Sequence, residues 1–368
     1  MYLSKEDINS LIQKKDLTED SNHCISLVIE KINNKLIEKY NLITSREKGD
    51  KIVSLDNNYY ELGYGSTEVT LSSRYTKYIN KNTILRTQMS STIPSLLKSY
   101  KKDEDKLWIC PGIVYRRDVR DRTHVAEPHQ LDIWYLTKEI QSRENLLQLV
   151  QLIISIIEEY KKEKVIWRYN ETSHHYTDGG IEVEIYYKNQ WLELLECGLI
   201  SQNLLIKNNL KSYSGLALGL GLERLVMIIK DIDDIRILYS EKPEIQVQLN
   251  NLNRYKRVSN QPSIKRDLSV SLNKNINEEE LTELILSSVN HETQNIIESI
   301  KVISETDYEY LPQIAIERLG MNSSQKNILI RIILRDLEKT LTNKQANLIY
   351  TEIYEKIHKG SLGYKVVE

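Results

Sequence analysis

The sequence predicts an α+β fold in two modules, from its length, a break in composition late in the chain, and the hydrophobic periods beyond that break. A chain of 368 residues is long enough for two domains with sizeable cores. Pro243, Asn250, Asn251, Asn253 and Pro262 gather turn formers, so residues 243–261 read as a linker. Beyond it, residues 262–272 alternate like a strand, 278–288 have a helical period, 327–334 form a β-branched strand and 343–358 an amphipathic helix. That pattern makes a small α/β plait.

In chain order, residues 5–14 and 24–40 read as helices, covering a sheet edge or supporting contacts to a partner. The apolar run 146–157 is interrupted by Gln148 and Gln151 and followed by Glu158 and Glu159, which predicts a packed amphipathic helix and no membrane span. Cys24, Cys110 and Cys197 are odd in number and lack metal spacing, the usage of a reducing compartment. No signal or transit pattern opens the chain, and a cytoplasmic location is expected. A formal charge of -2 gives no global basic footprint, so any nucleic-acid surface must be local. The candidates are Lys161, Lys162, Lys164 and Arg168, or Lys256, Arg257, Lys265 and Arg266, although such runs are more often solvated faces.

Two separated stretches carry the chemistry. Tyr115-Arg116-Arg117-Asp118 runs on to Thr123-His124, and Gly219-Leu220-Gly221-Leu222-Glu223-Arg224 opens the apolar helix 225–229 through a glycine-rich turn. Two arginines from distant sequence suit a bound polyphosphate, because guanidinium forks match phosphate oxygens and keep their charge. Glycines followed by Glu-Arg are neither a P-loop nor a dinucleotide fingerprint. Taken alone, the second stretch is equally a helix–strand packing turn with a surface arginine.

Residues 115–132 (YRRDVRDRTHVAEPHQLD) resemble motif 2 of class II aminoacyl-tRNA synthetases of the phenylalanyl branch, and residues 215–224 (GLALGLGLER) resemble motif 3. Leu85-Arg86-Thr87 with Ser90, Trp191-Leu192-Glu193 with Cys197-Gly198, and residues 231–236 (DIDDIR) follow in the family's order. Arg266-Asp267 and residues 335–342 (RDLEKTLT) resemble the anticodon-binding module of single-chain organellar phenylalanyl-tRNA synthetases. The resemblance implies an N-terminal helical segment (1–45), a class II catalytic domain with an antiparallel sheet flanked by helices (46–242), and a ferredoxin-like anticodon-binding domain (262–368). It also implies ATP, Mg2+, an amino acid and tRNA as reactants, without a membrane. The motif 1 region is not recognisable around residues 53–75, which leaves monomer and homodimer open.

By the same resemblance, Arg116 contacts the α-phosphate and substrate carboxylate, Arg224 the far end of ATP, and His124, Asp118 and Glu223 complete the nucleotide contacts. Glu193 and Glu184 are the magnesium candidates. Gln130, Asp132 and Ser90 hold the α-amino group, while Ala217 sets the pocket's depth. His129, adjacent to Gln130, points to the opposite face of a strand. The pocket departs from the family at His174-His175-Tyr176-Thr177, where two phenylalanines around a proline are usual, and at Pro128, Gln88, Ile93 and Glu196. His174 and Tyr176, two apart, share a face and could bracket a ring. A related ligase for another amino acid or acceptor, and a silent tRNA-binding paralogue, are the competing readings. The chain has 23 Tyr and no Phe. Such a ligase could still be made when charged phenylalanine tRNA runs short, while drift or design explains the bias equally well.

Overall fold

The computed structural model describes residues 2–101, 103–257, 262–337 and 339–361. Residues 258–261 of the expected linker, Glu338, and residues 362–368 of the expected C-terminal domain lie outside the described residues. The chain divides into two compact units, Met1–Arg116 with Glu127–Lys256, and Arg117–Ala126 with Arg257–Glu368.

In the first unit the strands are β1 (Ser45–Arg46), β2 (Ile52–Ser54), β3 (Tyr78–Asn80), β4 (Thr83–Leu85), β5 (Lys106–Ile113), β6 (His129–Thr137), β7 (Trp167–Glu171), β8 (Thr177–Tyr187), β9 (Gln190–Ile200) and β10 (Ser214–Gly221). Seven of them form one sheet in the order β1-β5-β6-β10-β9-β8-β7, and β2-β4-β3 form a small second sheet. Every pairing in the large sheet is antiparallel except the short parallel contact of β1 with β5. The central position of β6 explains its almost unbroken burial, since both of its faces are covered.

Three helices pack on one another and against the sheet: Cys24–Tyr40, Arg143–Lys161 and Leu222–Lys230. The first buries Ile25, Val28, Ile29, Ile32 and Leu36, one stripe at helical spacing. The N-terminal helices fall within the first compact unit. The second helix starts at a capping box on Ser142, ends at left-handed Lys162, and buries Leu146, Leu149, Val150, Ile153, Ile154, Ile156 and Ile157. Its apolar run is core, as expected. Among the described residues no helix is long and apolar enough to cross a membrane. Truncating a fully buried member of that stripe, Ile153→Ala, should cost about 2–5 kcal/mol, read as a fall in the urea midpoint.

Lys230, at the end of the third helix, is fully buried. Its ammonium donates to the carbonyls of Gln248 (2.8 Å), Asn251 (2.9 Å) and Asn253 (2.8 Å), so all three protons are used.

The second unit holds β11 (Ile264–Asn273), β12 (Ile297–Asp307) and β13 (Gln325–Leu334), antiparallel in the order β11-β13-β12. Helices Glu278–Ser287 and Asn343–Ile357 contribute Leu281, Ile285, Ala346, Ile353 and Ile357 to a core shared with Leu268, Val270, Ile330 and Ile332. This is the expected ferredoxin-like plait. β12 went unpredicted because register shifts at Ile297/Ser299 and Val302/Ser304 break its alternation.

Candidate active site

Gly219 and Gly221 do not form a turn: β10 runs through to Gly221 and passes directly into the helix Leu222–Lys230. Neither glycine has a positive φ. They keep the sheet face low instead. A Cβ on Gly219 would stand 3.6 Å from Asp132 Oδ1, and one on Gly221 would meet nothing within 4 Å. The local signal for a turn was therefore wrong.

Strand register brings together several of the residues expected on the amino-acid side. Asp132 on β6 stands opposite Gly219, which stands opposite Glu196 on β9; one step along, Trp134 faces Ala217 and Ala217 faces Gly198. Side chains two apart share a face, so Asp132 and Trp134 line the same cleft. Ser90 Oγ donates to Asp132 Oδ2 at 2.5 Å, and Gln130 Oε1 accepts from Met89 N at 3.2 Å. Burial lifts the Asp132 pKa to about 6, against the lowering pull of Ser90.

Asp132, Trp134, His174, Tyr176, Glu196 and Ala217 bound a small cavity here. Tyr176 stacks on Trp134, with centroids 5.6 Å apart and planes at 28°, and His174 lies 6.1 Å from Tyr176 at 27°. The two expected bracket residues therefore do share a side, but they lean on each other and leave no slot between them. His174 Nε2 is 3.2 Å from Glu196 Oε2. Burial works to raise the Glu196 pKa, but His174 and the charge of Arg116 hold it below the usual range. His175 turns away, 3.3 Å from Glu68. Gln88 is drawn aside, its amide donating to Asn58 O at 2.7 Å, and Pro128 gives its carbonyl to Val114 N. Neither of these two expected pocket residues lines the cavity. Trp134 was missed, although the alternation Gln130, Asp132, Trp134 could have found it.

The two arginines address one strand. Arg116 acts on Glu196, whereas Arg224 Nη1 lies 3.1 Å from Glu193 O and 3.2 Å from Glu193 Oε2. Glu193 and Glu196, three apart, both stay out of the core because β9 carries an extra residue opposite Val183/Glu184. Glu184 stands directly across from Glu193 and accepts from Arg168 at 2.7 Å and Asn170 at 3.0 Å. Burial, then Glu193, Glu196 and Glu184, raise the Glu182 pKa beside them. The cleft floor is thus acidic and held by guanidinium groups.

Glu223 is different. It is 2% exposed, and its carboxylate accepts from His129 N (2.9 and 3.0 Å) and Tyr239 OH (2.5 Å), with His129 Nδ1 at 2.6 Å. Leu17 N donates to His129 Nε2, which assigns the proton to Nδ1. Glu223, expected among the nucleotide contacts, is an internal anchor here, its carboxylate engaged by His129 and Tyr239. His129 is a core residue on the opposite face from Gln130, as alternation requires.

Asp118 and His124 lie on Arg117–Ala126, grouped with the second unit. Asp118 Oδ1 accepts from Val119 N, and His124 Nδ1 lies 2.9 Å from Asp121. In that unit Arg120 donates to Ile297 O and Gln294 O, and Arg122 pairs with Glu298 at 2.7 Å.

An antiparallel platform with helices behind it, a buried carboxylate on its central strand and arginines drawn from two distant motifs accord with a class II aminoacyl-tRNA synthetase core. The chain belongs to the phenylalanine-type class II synthetases: residues 7–249 match the family "tRNA synthetases class II core domain (F)", and residues 259–363 match "Ferredoxin-fold anticodon binding domain". It is 26% identical over 84% of its length to the chloroplastic/mitochondrial phenylalanine--tRNA ligase of Arabidopsis thaliana, covering 70% of that protein. It is 23% identical over 90% of its length to a probable mitochondrial phenylalanine--tRNA ligase of Drosophila melanogaster, covering 83% of it. Over 64% of the chain it is 30% identical to the phenylalanine--tRNA ligase alpha subunit of Hamiltonella defensa, covering 70% of that subunit.

Proposed function

We propose that this protein is an ATP-dependent phenylalanine--tRNA ligase, which activates the amino acid as its adenylate and passes it to tRNA. The observation that carries the reading is the approach of Arg116 and Arg224 to Glu196 and Glu193 of one strand, beside the Ser90–Asp132 pair. Activation joins a carboxylate to the α-phosphate of ATP and expels pyrophosphate, so charge develops on phosphorus oxygens and no protein nucleophile is needed. Arg116 would meet the α-phosphate and Arg224 the far end of the nucleotide, releasing their present carboxylate partners.

Glu184 and Glu193 face each other across β8 and β9 and offer hard oxygen donors that fit magnesium. A bound magnesium ion would offset phosphate charge there. The three free, buried cysteines suit a reducing compartment, whether cytoplasmic or organellar. The catalytic unit works as a monomer or a homodimer.

Of the two basic patches, the first is matched by carboxylates: Lys161 with Glu163, Lys164 with Glu158 and Arg168 with Glu184. Arg266 donates instead to the neutral amides of Asn347 and Asn343, which favours the second patch for tRNA. Arg266→Ala should raise the KM for tRNA several-fold and leave pyrophosphate exchange without tRNA unchanged.

Asp132 supplies a pH test. Its pKa is raised on folding, so between the ordinary carboxylate range and about 6 the folded protein keeps a proton that the unfolded chain has lost, and stability falls as pH rises through that window. Gripping an ammonium needs the ionised form. The KM for the amino acid should therefore fall as pH rises from 5 to 7, and Asp132→Asn should flatten the profile.

Pyrophosphate exchange across the standard amino acids, with and without tRNA, tests the whole reading. Exchange with phenylalanine is expected. Tight tRNA binding without exchange for any amino acid would instead mark a silent paralogue.

A further inference from the structure

The cavity bounded by Asp132, Trp134, His174, Tyr176, Glu196 and Ala217 is only about 10 Å³. That is room for roughly one water, whereas cavities that take up a benzene ring are on the order of 150 Å³. Ala217 leaves depth in the floor, yet a resident ring fills the space above it. Tyr176 stacks on the fully buried Trp134 on one side and against His174 on the other, and it packs on the cluster that contains Met89, Ile93 and Ala217. Its hydroxyl reaches Ser90 Oγ at 3.4 Å, the same hydroxyl that donates to Asp132. A phenol of the protein itself thus fills this part of the pocket.

Tyr176 is also placed to leave. It precedes β8 and is not part of it, it is half-buried, its backbone is tied through Ser201 N to its carbonyl, and its hydroxyl contact is long. We propose that Tyr176 is a specificity-determining plug, a side chain that occupies the ring site in the empty enzyme and must swing out before an aromatic amino acid can stack between Trp134 and His174. The proposal rests on the amino-acid pocket reading above. Because Tyr176 and the substrate ring compete for one space, apparent affinity is reduced by the fraction of protein with the ring withdrawn. Minor states of this kind are commonly populated at about 0.1–10%. Removing the ring should recover that loss.

The test compares wild type with Tyr176→Ala and the milder Tyr176→Val, using calorimetric titration with phenylalanine and pyrophosphate exchange with phenylalanine, alanine, serine and 2-naphthylalanine. Both variants should bind phenylalanine about tenfold or more tightly and should accept 2-naphthylalanine, and wild type should reject it. Tyr176→Phe keeps a ring of the same size and should stay within about threefold of wild type. Unchanged or weaker phenylalanine binding in the truncated variants overturns the plug while leaving the ligase reading intact. Wild-type exchange with alanine or serine and none with phenylalanine also overturns it, because the stack would then be the fixed wall of a small-substrate pocket. If no protein in the series exchanges any amino acid, the ligase reading itself falls and the plug with it.

Discussion

Arg224→Ala should reduce pyrophosphate exchange by about 100- to 1,000-fold, the loss that follows when one preorganised donor is taken from a developing oxyanion, worth roughly 2.7–4 kcal/mol. Arg116→Ala should do the same from the other side of the cleft. The fold should survive both changes. The Arg224 pair with Glu193 is 3.2 Å long and half open on the glutamate side, and such pairs contribute about 0–1 kcal/mol. Arg224→Lys should also fail, since one ammonium cannot reproduce a planar fork. Circular dichroism and tRNA binding serve as controls. Retention of more than about a tenth of wild-type exchange in either alanine variant would refute the phosphate assignment.

Glu223→Ala should instead strike stability, by about 3–5 kcal/mol, because it removes the acceptor for His129 N, His129 Nδ1–H and Tyr239 OH in a site closed to water. The urea midpoint should fall with an unchanged slope. Glu223 is in the first turn of the helix that carries Arg224, so exchange should also decline under conditions where the variant remains folded. Glu223→Gln keeps one acceptor oxygen but turns an amide donor towards donors, and its loss should be intermediate. Wild-type stability in Glu223→Ala would show that solvent can satisfy the site.

The neighbouring pair Glu223-Arg224 shows how far the sequence could be read. Both stand in one motif, and motif order alone brings the family, the antiparallel sheet and the C-terminal plait. Which of two adjacent charged residues faces the cleft depends on where β10 ends and the helix begins. The glycines obscured that point by imitating a turn. Alternation made the faces of Gln130, Asp132 and His129 legible, and it placed His174 and Tyr176 on one side. It could not tell that the rings of His174 and Tyr176 close on each other, because that depends on Trp134 from another strand. β12 and the extra residue in β9 escaped for a shared reason: a single register shift costs little energy but erases the period that sequence reading depends on.

The clasp around Lys230 fixes where a shortened catalytic fragment can stop. Cutting at residue 242, where composition alone put the domain edge, would discard Gln248, Asn251 and Asn253, the three acceptors of the Lys230 ammonium, together with the buried Ile245, Leu249 and Leu252. A fragment kept through Asn253 retains all three carbonyls, so expression trials that differ by about a dozen C-terminal residues should separate into insoluble and soluble products.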